Sequence, residues 1–103
     1  MAWKVIWTRR GGLSLEEAYE YVAADDPDAA DKLLAGIFES VDLLERFPFI
    51  GARYERRGRR TSYREIQHRM YRIFYRVDER QEEVHVILIW HGSRDEPSFS
   101  DLR

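Results

Sequence analysis

"SYREIQHRMYRIFYRVDERQEEVHVILIW", residues 62–90, is the stretch whose reading decides the fold. Within it "SYREIQ" (62–67), "YRIFYRV" (71–77) and "EVHVILIW" (83–90) are rich in β-branched and aromatic residues, and short segments at 68–70 and 78–82 separate them. Connections this short join only antiparallel strands, so the stretch predicts a three-stranded meander. With period two, Tyr71, Ile73, Tyr75 and Val77 point to one side, and Arg72, Phe74 and Arg76 to the other. The first side reads as a core face. The second sets two arginines around an aromatic ring and reads as a face built to meet something anionic, a phosphate or a partner's carboxylate.

Outward from the meander, "WKVIWT" (3–8) alternates, with Trp3, Val5 and Trp7 on one side, and predicts a further strand. "RGG" then turns the chain. "LSLEEAYEYVAA" opens with a capping box in which Ser14 and Glu17 satisfy each other's amides, and Leu15, Ala18, Tyr19 and Val22 make the apolar stripe of a helix. Asp26 as N-cap and Pro27 at the first helical position start a second helix with Ala30, Leu33, Leu34, Ile37, Val41 and Leu44 on its buried side. The short break between the two makes a helical hairpin. "FPFIGARYERRGRR" (47–60) has a proline, two glycines and little periodicity, and reads as loop; "HGSRDEPSFSDLR" (91–103) reads as a polar tail.

The predicted order is β-α-α-β-β-β, an α+β domain over 1–103 with the helical hairpin on one face of a mainly antiparallel four-stranded sheet. The face carrying Trp3 and Trp7, or that carrying Tyr71, Ile73 and Tyr75, lies beneath the helices. Arg72 and Arg76 are left on the open face.

Charge is unevenly spread. Residues 14–45 hold ten acids against Lys32 alone, and residues 53–80 hold ten arginines against four acids, so a formal net charge of −2 conceals two opposed fields. Arginine outnumbers lysine fifteen to two, and its planar fork suits carboxylates, phosphates and aromatic faces. No run of about 18 apolar residues is present, which excludes a membrane-spanning helix. The opening "MAWKVIWTRR" has charges too early for a signal peptide. Cysteine is absent, which excludes a disulfide scaffold and thiolate chemistry and fits a cytoplasmic protein.

Common enzyme signatures are missing. His68, His85 and His91 lack metal-ligand spacing, "RGRR" is no phosphate loop, and the Ser, His and Asp of "HGSRD" are contiguous, which does not assemble a triad. No metal and no cofactor is expected. The arginine belt is the informative feature: Arg56, Arg57, Arg59, Arg60, Arg72, Arg76 and Arg94 are the candidate partner-binding residues. Tyr63, Tyr71, Tyr75 and Phe74 among them are either stacking surfaces for single-stranded bases or core residues, the latter favoured for Tyr71 and Tyr75.

The succession of "WKVIWT", "EEAYEYVA", "DDPDAADKL", "LERFPFIG", "YRIFYRV" and "IWHGSRD" resembles the RelE/ParE toxin superfamily of bacterial type II toxin–antitoxin systems along nearly the whole chain. The resemblance implies a small cytoplasmic toxin held silent in a hetero-oligomer with its antitoxin. It offers two activities. RelE-like members cut messenger RNA on the ribosome, and here Arg64, Arg72 and His91 would be the catalytic set; Ile50 stands where some of these nucleases carry a Glu. ParE-like members lack that set and poison DNA gyrase through protein contacts, and "HGSRD" resembles these more. The ParE-like reading is the leading one, with the nuclease second. An inactive remnant or plain binding module is the third.

Overall fold

The structure is a computed structural model that describes residues 2–102. The chain runs β1 (Lys4–Trp7), α1 (Arg9–Ala23), α2 (Pro27–Asp42), a 3-10 turn (Leu43–Glu45), β2 (Ala52–Arg56), β3 (Arg59–His68), β4 (Tyr71–Asp78), β5 (Glu83–His91) and a terminal turn of helix, α3 (Phe99–Leu102). The strands form one five-stranded sheet in the order β1-β5-β4-β3-β2. The meander is antiparallel as predicted, and β1 adds parallel to β5 at its edge. Among the described residues no helix is long and apolar enough to cross a membrane.

The fifth strand corrects the reading of 47–60 as loop. Residues 52–56 pair with 59–65 as a hairpin closed by Arg57 and Gly58, both at positive φ (53° and 74°). That is the backbone of a tight two-residue turn whose twist matches its strands. Apolar alternation is missing because Tyr54 is the only buried side chain of β2, so periodicity gives no signal there.

The first helix also begins earlier than the capping box predicts. Thr8 is the N-cap, accepting from the Gly11 amide at 3.0 Å, and "RGG" is helix rather than turn. The glycines cost helix propensity, but Gly11 lets α1 lie directly on β5: a Cβ there would stand 2.3 Å from the Val86 carbonyl oxygen. Ser14 is then inside the helix, donating to the Gly11 carbonyl and accepting from the Ile89 amide, both at 2.9 Å. It stitches the helix to the sheet. Asp26 caps α2 through the Ala29 amide with Pro27 at its first position, as expected.

Both candidate core faces are the same face. Leu15, Ala18, Leu33, Ile37 and Val41 of the helices pack on Tyr71, Ile73, Val86 and Ile89, with Val5 and Trp7 alongside. Leu44, Tyr75 and Val84 extend this layer toward Trp3. A bulge at Ile87 shifts the parity of β5, because Phe74 faces Leu88 while Tyr75 faces Val86. Val84 and Val86 thus face the helices, and so does Ile89, while Ile87 and Leu88 both join the opposite layer.

The opposite face is not open. Tyr54, Phe74, Ile87, Leu88 and Trp90 form a second core there, closed by Leu102 of α3, which is 1% exposed. The expected polar tail is a lid. Trp90 donates its indole N–H to the Asp95 carbonyl at 2.9 Å, and the Arg94 guanidinium stacks 3.8 Å from the Trp90 ring centre. Four strands with one bare face would leave this apolar surface in water; the tail removes it.

Gly11 and Gly12 make a matched test. Nothing lies within 4 Å of a Cβ on Gly12, so Gly12→Ala is expected to stabilise the protein by about 0.5–1 kcal/mol, whereas Gly11→Ala is expected to destabilise it by about 2 kcal/mol or more. Urea midpoints of the two variants against the parent check both signs.

Candidate functional site

The arginines divide by what already holds them. Arg72 leaves β4 on the tail side of the sheet, where its fork takes Glu65 with Nε to Oε1 at 2.9 Å and Nη2 to Oε2 at 3.1 Å. Its remaining nitrogen donates to Glu96 Oε2 at 2.7 Å. The guanidinium lies 4.8 Å from the Phe74 ring centre and 5.7 Å from that of Tyr54, whose hydroxyl donates to the same Glu96 oxygen at 3.1 Å. The Arg72 side chain is 16% exposed. The expectation of an open, anion-seeking Arg72 is therefore corrected: two carboxylates of its own chain neutralise it. They hold its proton more firmly than water does, first through the hydrogen bonds that Arg72 donates to Glu65. The same contact, chiefly the hydrogen bond from Arg72, holds the Glu96 carboxyl below its ordinary range.

Arg64 is on the other face, paired across from Tyr75. It donates to the Gly51 carbonyl at 2.9 Å and to that of Phe49 at 3.4 Å, and lies 5.2 Å from the Phe49 ring centre. The buried Tyr75 hydroxyl accepts from the Gly51 amide at 2.8 Å. A Cβ at Gly51 would stand 2.6 Å from that hydroxyl and 2.7 Å from the Glu65 carbonyl. "FPFIG" is thus a turn clamped by Arg64 and Tyr75. Ile50 at its tip is 60% exposed.

His91 ends β5 on the helix side, edge-on to Tyr71 at 5.1 Å between ring centres. Its Nδ1 accepts from the Ser93 amide at 3.1 Å and lies 2.6 Å from the Ser93 hydroxyl. A groove beside α1 brings His91 together with Glu17, Tyr21, Tyr71 and Arg94.

The three residues of the nuclease reading do not converge. Arg72 is on the opposite face of the sheet from Arg64 and His91. The last two are separated by two strand spacings and four residues of strand, roughly 16 Å between backbones. The tyrosines form no stacking platform either: Tyr71 and Tyr75 are core, and Phe74 is fully buried in the second core.

Of the other arginines, Arg56 donates to the Pro97 carbonyl and lies 5.4 Å from the Phe99 ring centre. Arg94 is stacked on Trp90, and Arg76 is the half-buried cross-strand partner of His85. Arg57, Arg59 and Arg60 are exposed at the β2–β3 tip, with one loose pair, Arg60 to Glu55 at 4.0 Å. Sequence reading missed the counter-ions. Glu65 was accessible to it: once a two-residue turn sets His68 opposite Tyr71, Gln67 faces Arg72 and Glu65 is one diagonal away. Glu96 gave no such signal. The structure also gathers ligand atoms of Asp78, Glu83 and His85 within 4.8 Å of one another, although no spacing of histidines announced it.

Arg72→Ala is expected to destabilise the fold by about 2–4 kcal/mol, since it leaves two carboxylates unpaired over a second core. Glu96→Gln should matter less, under about 1 kcal/mol, because its side chain is 58% exposed. Glu96 has a folded pKa below its unfolded one, so its contribution is complete above the unfolded value and vanishes as pH falls through the folded value. Parent stability should therefore fall more steeply than that of Glu96→Gln below about pH 5, as chemical denaturation at stepped pH would show.

Comparisons with known proteins agree with this architecture. The profile of the ParE toxin of the type II toxin–antitoxin system parDE matches residues 5–96. "Putative toxin Y4kP" of Sinorhizobium fredii is 33% identical over 96 residues, covering 91% of this chain and 93% of that protein. Two solved structures share the fold at 20% identity. One is the toxin–antitoxin complex RelBE2 of Mycobacterium tuberculosis, with a TM-score of 0.67 over 88% of this chain and 99% of that one. The other is the chromosomal ParDE system of P. aeruginosa, with a TM-score of 0.72 over 87% and 96%. The chain belongs to the ParE toxin family of type II toxin–antitoxin systems, within the RelE/ParE superfamily.

Proposed function

We propose that this toxin stops growth by poisoning DNA gyrase through protein contacts, and that a cognate antitoxin silences it by covering part of its surface. One observation carries the choice of target: Arg72, the cation that RNA cleavage would need, is spent on Glu65 and Glu96 across the sheet from Arg64 and His91. A guanidinium whose charge is already matched by two carboxylates, with each of its three nitrogens bonded to one, is poorly disposed to clamp a phosphate. A protein-directed toxin needs no such convergence. It needs exposed side chains on a rigid body.

The antitoxin reading draws support from the neighbours, one of which was solved as a toxin–antitoxin complex. It also draws on apolar side chains left in water on α1: Leu13 is 48% exposed and Tyr21 is 80% exposed. They flank the grooves over Ile89 and Tyr71, the kind of surface that an amphipathic segment covers.

The cleavage reading keeps one supporting observation, the groove holding His91 beside Glu17, Tyr71 and Arg94. A histidine there has an acid and a cation for company, although the phosphate clamp is lacking.

Expression without antitoxin is expected to induce the DNA-damage response within one generation while transcripts stay full length, and purified toxin should raise the yield of gyrase–DNA cleavage complexes. Transcripts cut within minutes, protected by His91→Ala in a protein that keeps its thermal stability, would replace this reading with the nuclease.

A further inference from the structure

The β2–β3 hairpin is built like an arm. β3 meets β4 only from Tyr63 onward, so its first residues pair with β2 alone and the ribbon overhangs the sheet. Arg53, Arg57, Arg59 and Arg60 on this ribbon are exposed, and Glu55 is its sole acid, standing 4.0 Å from Arg60 with both side chains well exposed. Two of its cross-strand pairs oppose like charges, Arg53 with Arg64 and Arg56 with Arg59, against one unlike pair, Glu55 with Arg60. The like pairs repel, and a ribbon selected for its own stability would alternate signs. Arg57 also holds a positive φ of 53°, which Asn or Gly would adopt more readily. The hairpin thus gives up local stability at three positions and gains a dense positive charge.

The root of the arm is braced. Arg56 is fastened to the Pro97 carbonyl and the Phe99 ring, Thr61 donates to the Tyr54 carbonyl at 2.8 Å, and Tyr54 is buried in the second core. The tip is therefore presented on a fixed base.

We infer that this arm docks on double-stranded DNA, with its arginines on the phosphates and the ribbon along the major groove. Three features favour that partner over an acidic protein or single-stranded RNA. First, no exposed apolar side chain lies between residues 53 and 60, whereas a protein interface has an apolar or aromatic centre. Second, a single-strand site offers aromatic rings to bases, and the one ring within residues 53–60, Tyr54, is 3% exposed, while Phe99 at the root is covered on one side by Arg56. Third, a two-stranded ribbon fits the major groove of B-form DNA, and the deep, narrow groove of A-form RNA does not admit it. Charge over the molecule works in the same direction. The acids concentrate on the two helices, which cover one face of the sheet, and the arginines on the edge hairpin, so a polyanion is drawn to the arm more than to the helices. The inference stands apart from the gyrase proposal, since the contact requires DNA alone.

The test is fluorescence anisotropy of the full chain with a labelled duplex of about 20 base pairs and mixed sequence, between about 50 and about 300 mM KCl. Three to four phosphate contacts predict a slope of log affinity on log salt near −3. Arg57→Glu/Arg60→Glu is expected to lower affinity at least about tenfold at the lowest salt and to flatten the slope by about 2. Arg9→Glu/Arg10→Glu makes the same change of charge on exposed positions of α1 and is expected to alter affinity less than about threefold. Both variants change exposed residues, and matching thermal melts confirm that each is folded. Equal losses in the two variants would overturn the inference, as would the absence of duplex binding. Tighter binding to single-stranded RNA or to an acidic peptide at the same salt would overturn it too.

Discussion

The Arg72 guanidinium joins two neighbouring strands of the meander to the C-terminal tail, 24 residues further on. It grows from β4, takes both oxygens of Glu65 on β3, and with its remaining nitrogen holds Glu96 of the tail. Beneath it lie the rings of Phe74 and Tyr54, so its charge rests on aromatic faces while its edge is filled by carboxylates. A charge with so little exposure is tolerable only when its donors are satisfied, and these two acids do that. The tail that brings Glu96 also brings Pro97 and Leu102 onto the second core. The ion-pair network thus ties the lid to β3 and β4 at one point, with Arg72 and Glu65 largely covered and Glu96 at the solvent edge.

This bears on how a toxin fold of about a hundred residues stays intact with only two sizeable helices. A chain this short buries a modest fraction of its surface, and a sheet covered on one side would have lost part of that. The tail supplies the second layer with few residues because polar contacts do its positioning: Trp90 to the Asp95 carbonyl, Arg94 over Trp90, and Arg56 to the Pro97 carbonyl. "HGSRD" is accordingly the hinge from sheet to lid. The Gly92 amide bonds the Met70 carbonyl at 2.7 Å, and a Cβ there would crowd that oxygen at 3.1 Å.

What could be read from the sequence follows from which forces are local. The meander, the cap of α2 and the apolar stripes of both helices were legible because periodicity and capping act within a few residues. Residues 52–60 were not, since a ribbon pairing arginine with arginine has no alternation to read, and the Arg-Gly turn lacks the Asn-Gly signature. The start of α1 was misplaced for a different reason. Ser14 and Glu17 match a capping box, yet contact of Gly11 with β5 decides where the helix begins, and that contact spans 75 residues of sequence. At the site, the arginines were legible as a class while their employment was not. Which are spent and which exposed depends on register and on the tail.

That division explains why arginine rather than lysine fills this chain. Arg64 caps two carbonyls and lies over Phe49; Arg72 takes two carboxylates and overlies two rings; Arg94 stacks on Trp90; Arg56 binds a carbonyl beside Phe99. Each use needs a flat cation with several fixed donors, and an ammonium would supply only one of its two functions. Codon bias would spread arginine without regard to such places. Here four arginines each meet both an aromatic face and an acceptor or lid contact, while Arg53, Arg57, Arg59 and Arg60 stand exposed together on one ribbon. The arginines are therefore two populations, one that braces the sheet's turn and lid and one that stands in solvent.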